Sequence, residues 1–153
     1  MADEIRVELK GLAATPAGVG LFLGNGEKII AIFVDQHVGG AITLYMQGTE
    51  TPRPLTHELL GSILEGLGVR LAKVLINELR DDTFYARMVL VQESELGKKI
   101  VEIDARSSDA IAMALRQKSP IWVHASVWQA AEDMTWALDK LREDEDGAQG
   151  PGI

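Results

Sequence analysis

The stretch VGLFLGNGEKIIAIFVD (residues 19–35) decides the fold class, because it holds two apolar runs separated by an Asn-Gly pair. Asn-Gly supplies the positive-φ positions that tight hairpin turns require. The sequence therefore predicts a β-hairpin with strands near 19–24 and 28–34. The preceding segment EIRVELK (4–10) alternates apolar and charged residues, which is typical of a strand with one face in water. The chain is expected to begin with an antiparallel sheet.

The remaining segments contain further hairpin strands and several amphipathic helices. Strands are predicted near 71–79, 83–92, 100–104 and 121–124. Helices are predicted over 36–47, 56–66, 108–117 and 127–142, the second of them capped by Thr56. Since the strands come mostly in hairpins and do not alternate regularly with helices, an α+β fold with a mixed or antiparallel sheet is favoured over a doubly wound fold.

A faint internal similarity appears when the chain is laid over itself. VDQHVGGAI (34–42) aligns with IDARSSDAI (103–111), and each copy ends a strand in Asp and reaches Ala-Ile six residues later. Proline and a second helix follow both copies. This pattern indicates a duplicated unit in which a strand-rich half precedes two helices.

Length and composition predict one domain with an acidic end. The 153 residues are 46% hydrophobic, enough for one sizeable core, which we place in residues 1–142. The final segment EDEDGAQGPGI (143–153) is acidic and rich in glycine, and is predicted to be a disordered tail. The formal charge of −8 argues against a protein that binds nucleic acid through a broad basic surface.

The residue types present also limit the chemistry and the location. The chain has no cysteine, which excludes disulfides, thiolate metal sites and cysteine nucleophiles. The N-terminal MADEIRVELKGL has acidic residues where a signal peptide needs basic ones, and no apolar run approaches the roughly 20 residues of a membrane span. A soluble, cytoplasmic protein with no membrane association is expected.

The segment IDARSSDAIAMALR (103–116) contains the densest polar cluster. Ser107 or Ser108 as N-cap, with Asp109 in the first turn, is what a helix start requires. That explanation leaves Asp104 and Arg106 unexplained. They could form an ion pair that fixes the turn, an anion pocket at the helix N-terminus, or part of a Mg²⁺ site that Asp104 shares with Asp109.

A second cluster lies in PRPLTHE (52–58), which holds Arg53, Thr56, His57 and Glu58. His57 would sit in the first turn of a helix beside a carboxylate and near an arginine, and imidazole transfers protons near neutral pH. A solvated surface histidine is the alternative. P-loop, G-x-G-x-x-G, H-E-x-x-H and serine-elbow motifs are all absent from the sequence.

Three segments taken together resemble the bifunctional nuclease family, also called the domain of unknown function 151 family. They are PRPLTHELLGSILEGLG (52–68), VLINELRDDTFYARMVL (74–90) and IDARSSDAIAMALRQKSPIWV (103–123), within a similarity that runs from about Val19 to Val127. The resemblance implies a compact α+β domain with nuclease activity on DNA and RNA. The resemblance implies that the family's characteristic positions fall on Arg53, Pro54, Thr56, His57, Asp104, Arg106, Ser108, Asp109 and Ala110. Ser107 departs from the family, which more often has proline there.

Two classes of function follow from the residues and the resemblance. The first is a nuclease that hydrolyses phosphodiester bonds of DNA and RNA with divalent-metal assistance. In it His57, Asp104 and Asp109 are catalytic, and Asp104 and Asp109 bind Mg²⁺ or Mn²⁺. The phosphate-binding residues are Arg53, Arg106 and Ser108. The second is a non-enzymatic regulatory or small-anion-binding module. In either case a homodimer or higher homo-oligomer is expected.

Overall fold

The computed structural model describes residues 3–148. The strands in this part of the chain are β1 (Glu4–Thr15), β2 (Gly18–Gly24), β3 (Ile29–Val34), β4 (Val69–Arg80), β5 (Thr83–Ser94), β6 (Gly97–Arg106) and β7 (Ile121–His124). The helices are α1 (Gln36–Met46), α2 (Thr56–Gly66), α3 (Ser107–Gln117), α4 (Ala125–Ala130) and α5 (Thr135–Ala148). None of the described helices has the length and apolar character needed to cross a membrane.

The strands form one mixed sheet in the order β3-β2-β1-β7-β4-β5-β6. Neighbouring strands are antiparallel except for β4 and β7, which are parallel. The predicted α+β fold with a mixed sheet is therefore confirmed. Each half contributes a three-stranded meander followed by a helix, and β7 joins the two meanders through β1 and β4.

Residues with positive φ lie in the β2–β3 and β4–β5 turns. Gly26 has φ of 96°, and the Asn25 side chain accepts hydrogen bonds from the backbone amides of Glu27 and Lys28 at 2.9 and 3.1 Å. The β4–β5 turn uses Asp81 and Asp82, both with positive φ. Aspartate tolerates this conformation better than most residues, so the local sequence sets the position of both turns.

Helix α3 lies at the centre of the main core. It contacts α1, α2 and strands β3, β4, β5 and β6. Its residues from Ala110 to Ala114 are buried, and Ile111 is completely inaccessible to solvent. The three alanines among them let neighbouring elements approach the helix closely, while Ile111 and Met113 fill the remaining volume.

The structure places both predicted helix caps differently. Leu55 is the N-cap of α2 and Arg106 that of α3, and neither makes a side-chain capping bond. Thr56 is therefore the first residue of its helix, and Ser107 and Ser108 are buried within α3. Tertiary packing of the α3 start against the core accompanies a cap that lies one residue before Ser107 and two before Ser108, the two predicted positions.

The helix predicted over 127–142 is two helices. Ala131 is extended, and Asp133 accepts hydrogen bonds from the Thr135 hydroxyl and backbone amide, which lower the pKa of the Asp133 carboxyl. The break lets the two halves pack in different places. Trp128 joins the main core, whereas Leu138 packs in a separate cluster with Phe22 and Ile29.

The acidic end of the chain also differs in part from expectation. Helix α5 continues through Ala148, so the segment from residue 143 to 148, predicted as the start of a disordered tail, is helical. The amphipathic pattern before it extends the helix into the charged run, and each added residue forms a backbone hydrogen bond once the helix is nucleated. Residues 149–153 of the predicted tail lie outside the described residues.

The neighbouring glycines of α1 provide a matched stability test. A Cβ at Gly39 would overlap the side chain of Val19, whereas a Cβ at Gly40 would meet nothing within 4 Å. Gly39→Ala is therefore expected to lower the free energy of unfolding by roughly 1–3 kcal/mol through overpacking. Gly40→Ala should raise it by roughly 0.5–1 kcal/mol, since alanine favours helix. Urea unfolding of both variants measures the difference, and equal effects would contradict the close approach at Gly39.

Candidate functional site: a cleft at three helix N-termini

A histidine and an aspartate from the two predicted clusters meet in the structure. His57, the second residue of α2, contacts Asp109, the third residue of α3, with 3.0 Å between Nε2 and Oδ1. The pair spans 52 positions of sequence. His57 is only 7% exposed, whereas the Asp109 side chain is 45% exposed. The carboxylate therefore faces solvent with the imidazole held behind it.

This pair lies in a cleft between α1 and the start of α2. The cleft has a volume of about 580 Å³ and is lined on the α1 side by Gln36 and His37, on the α2 side by Thr56 and His57, and by Asp109 from α3. Each of these residues belongs to the first turn of its helix. Three helix N-termini thus converge on one concave surface.

The N-termini differ in how their amide groups are satisfied. The Asp35 carboxylate accepts a hydrogen bond from the Val38 amide at 2.9 Å, which caps α1. Helices α2 and α3 have no side-chain cap. Their first-turn N–H groups receive no hydrogen bond from a capping side chain. Uncapped helix starts and their dipoles favour a bound anion such as phosphate.

Arginines lie near the cleft in two different settings. Arg53 is exposed and directly precedes Pro54, which lines the cleft. Arg116 is mostly buried, contacts Glu58 at 2.6 Å and lies over the Tyr45 ring at 4.8 Å from its centroid. Arg53 is therefore free to reach a ligand at the rim, while Arg116 ties α3 to α2 and α1.

Asp104 and Arg106 do not join the histidine–aspartate pair. Between them on β6 lies Ala105, which pairs with the fully buried Ala86 and packs against the main core. Since strand side chains alternate, Asp104 and Arg106 project from the opposite face of the sheet, where Asp104 is the cross-strand neighbour of Arg87. The predicted cluster is thus split between two surfaces.

Ser108 does not take part in the cleft. It is buried beside Asp109 and is not among the residues that line the cleft.

The predicted metal site does not form on Asp104 and Asp109. These two residues project from different surfaces, and within residues 3–148 no group of three or more His, Asp and Glu side chains is arranged to hold a metal ion. The described residues do not fit a shared metal site on these two carboxylates.

His37 is a member of the cleft that the sequence did not single out. It is exposed in the first turn of α1 and faces the same concave surface as His57. The sequence signal available was the position of His37 two residues after Asp35, at the end of a predicted strand. Only the packing of α1 against α3 shows that this junction borders the cleft.

Comparison with known families gives this arrangement a context. The family model described as the bifunctional nuclease domain matches residues 21–135, a range that includes both His57 and Asp109. The chain belongs to this family. The match covers the whole second meander, β3 and the end of β2 from the first meander, and all three helices that border the cleft.

Three individual relatives are similar to large parts of this chain. An uncharacterized protein of Mycobacterium tuberculosis (strain ATCC 25618 / H37Rv) is 36% identical over 127 residues, covering 79% of this chain and 73% of that protein. Bifunctional nuclease 1 of Oryza sativa subsp. japonica is 28% identical over 103 residues, 67% of this chain and 31% of the rice protein. Bifunctional nuclease 2 of the same rice is 26% identical over 115 residues, 75% of this chain and 35% of the rice protein.

Proposed function

We propose that this protein hydrolyses phosphodiester bonds of DNA and RNA in the cleft at the three helix N-termini. The observation that carries the proposal is the His57–Asp109 contact at 3.0 Å within a cleft whose α2 and α3 amides lack side-chain caps. Such a surface offers an anion site next to a proton-transfer group. Membership of the bifunctional nuclease domain family supports phosphodiesters as the substrate class.

Each element of the cleft has a role in the proposed reaction. A substrate phosphate binds at the uncapped first turns of α2 and α3, with Arg53 at the rim neutralising its charge. Water attacks phosphorus, the bond from phosphorus to the leaving oxygen breaks, and the pair moves one proton from the water to that oxygen. Both residues line the cleft, but Asp109 is the more exposed member and faces the substrate, while His57 fixes its orientation and exchanges the proton with it.

Asp104, Arg106 and Ser108 stay outside this mechanism. Asp104 and Arg106 project from the other face of β6, and Ser108 is buried within α3. Their catalytic and phosphate-binding roles, predicted from the sequence, remain predictions that variants can test. A cytoplasmic location likewise stays a prediction.

The activity itself is tested by incubating purified protein with labelled single-stranded RNA and DNA in EDTA and in Mg²⁺ or Mn²⁺. Cleavage of both polymers is expected. Metal assistance stays a prediction from the sequence, and a higher rate in Mg²⁺ or Mn²⁺ than in EDTA would bear it out. No step is assigned to a metal, because the described residues do not form a shared site on Asp104 and Asp109. Absence of cleavage under every condition would contradict the nuclease proposal.

A second function is favoured by one specific observation. His57 is almost fully buried, which suits a residue that holds Asp109 in place at a binding site. The same uncapped helix starts would then bind a small phosphate-containing anion without cleaving it. Saturable binding of inorganic phosphate or a mononucleotide, with no cleavage of either polymer, would favour this alternative.

A further inference from the structure

Strand β6 forms an open edge of the sheet. It is last in the strand order and pairs with β5 alone, so one side of its backbone has no strand neighbour among the described residues. Nine of its ten residues are exposed, including Ile100, Val101 and Ile103. Long apolar edge strands with free backbone groups are sites where another strand can add.

The opposite edge of the sheet is protected. Strand β3 is only six residues long, and its first residue, Ile29, accepts a backbone hydrogen bond from Met134 at 2.7 Å. The segment before α5 thus occupies part of that edge. No comparable contact to the outer side of β6 occurs in residues 3–148. The two edges therefore differ in their capacity to accept a further strand.

The charge pattern of β6 is complementary to itself in the antiparallel direction. Its sequence GKKIVEIDAR has Lys98 and Lys99 in the first half and Glu102 and Asp104 in the second. Lysines on an edge normally prevent pairing with an unrelated strand. When β6 meets an antiparallel copy of itself, however, Lys98 of each strand can face an acidic residue of the other, while Lys99 lies on the opposite face of the sheet.

We propose that two copies of this chain associate by antiparallel pairing of their β6 strands about a two-fold axis at Val101. A two-fold axis perpendicular to the sheet keeps every side chain on its own face of the sheet. Odd-numbered residues of one β6 strand therefore pair with odd-numbered residues of the other, and even-numbered with even-numbered. Centring at Val101 places Lys98 opposite Asp104 of the second copy and pairs residues 97–105 throughout. Centring at Ile100 would place Lys98 opposite Glu102 instead, but it would pair only residues 97–103 and leave Asp104 beyond the paired strand.

The helix-bearing side of this edge adds apolar surface. Gln92 of β5 is the cross-strand partner of Lys99, and its side chain donates a hydrogen bond to the Leu67 carbonyl at 2.9 Å. The end of α2 therefore lies next to the β6 face that carries Val101 and Ile103. Exposed Ile63 and Leu67 enlarge the apolar area there, and such patches are typical of interfaces between protein chains.

Single cysteines provide the direct test, because the chain contains none of its own. In Val101→Cys the two introduced thiols face each other across the axis, within the Cα separation that a disulfide accepts. In the control Lys99→Cys the two thiols lie four residues out of register, about 13 Å apart. We expect light scattering to show a wild-type dimer at micromolar concentration. We also expect Val101→Cys to oxidise to a covalent dimer at least about tenfold faster than Lys99→Cys does.

Charge variants test the pairing independently. Lys98→Glu should weaken the dimer about tenfold, since like charges then face each other twice. The double variant Lys98→Glu with Asp104→Lys should restore it. Within one chain, Lys98→Glu lies across from Glu93 and Asp104→Lys lies across from Arg87, so each substitution brings like charges together. Recovery of the dimer in the double variant can therefore come only from pairing with the second copy.

Several outcomes would overturn the proposal. A wild-type monomer at these concentrations, or a dimer in which Lys99→Cys oxidises as fast as Val101→Cys, would exclude this pairing. Preferential oxidation of Ile100→Cys would exclude the register centred on Val101. Mass and oxidation rate do not depend on nucleic-acid cleavage, so the result stands apart from the nuclease proposal.

Discussion

Replacing Asp109 by asparagine is expected to lower the rate of RNA and DNA cleavage by about 10²- to 10⁴-fold, the range that loss of a proton-transfer group produces. The substitution preserves shape and leaves an oxygen to accept the hydrogen bond from His57 Nε2. It removes the negative charge and the ability to take a proton from water in the cleft. Cleavage rates at saturating substrate, compared with wild type, measure the effect.

The partner and the controls make this prediction specific. His57→Gln should cause a loss of similar size, because the pair acts as one unit when the histidine holds the carboxylate at 3.0 Å. His124→Ala should leave cleavage unchanged, since His124 lies at the end of β7 and does not line the cleft. Full activity of a folded Asp109→Asn protein would remove the pair from the mechanism.

Asp104→Asn tests the catalytic role that the sequence predicts for Asp104 against the structure, which places this residue outside the cleft. The side chain projects from the opposite face of β6, beside Arg87, so cleavage should be retained. A loss as large as that of Asp109→Asn would show instead that the outer face of the sheet takes part. Urea unfolding of each variant separates a loss of chemistry from a loss of folded protein.

Truncating the central helix should have the largest effect on stability. Ile111→Ala is expected to lower the free energy of unfolding by about 2–5 kcal/mol, because the side chain is completely buried and the cavity cannot close fully. Helix α3 contacts α1, α2 and four strands, which limits how far the surroundings can relax. Urea denaturation at fixed protein concentration measures the change.

A fully exposed residue supplies the control for this prediction. Leu96 lies in the β5–β6 turn and is completely exposed, so Leu96→Ala should change the free energy of unfolding by less than about 0.5 kcal/mol. A change below about 1 kcal/mol for Ile111→Ala would contradict the central position of α3. Ile111 lies two residues after Asp109 in the same helix. The cleavage rate of the folded Ile111→Ala protein therefore also measures whether a less tightly packed α3 still holds Asp109 in position.

Local patterns predicted most of the strands and helices. The alternation of apolar and charged residues in 4–10 and the two apolar runs around Asn-Gly predicted the strands of the first meander. The helical spacing of apolar residues predicted the bounds of α1 and α3 to within one or two residues. These elements form where side-chain periodicity and turn residues act over a few positions. The same reasoning joined α4 and α5 into one helix, since the periodicity continues across the break.

The errors have a common physical origin in contacts between distant segments. Ser107 and Ser108 satisfy the preference of an N-cap, yet the start of α3 packs against the core and buries both. The helix predicted over 127–142 breaks because Trp128 and Leu138 pack in different clusters. Propensity describes one segment in water, and burial against the rest of the chain can outweigh it.

The sequence by itself determined the α+β class, the hairpins, the helix over 108–117 and the residue types available for chemistry. Only the tertiary structure decided which of those residues meet. His57 and Asp109 are 52 positions apart and come within 3.0 Å because α2 packs against α3. Asp104 is five positions from Asp109 and yet projects from another surface, because β6 ends at Arg106 and alternation in a strand sends neighbouring side chains to opposite faces.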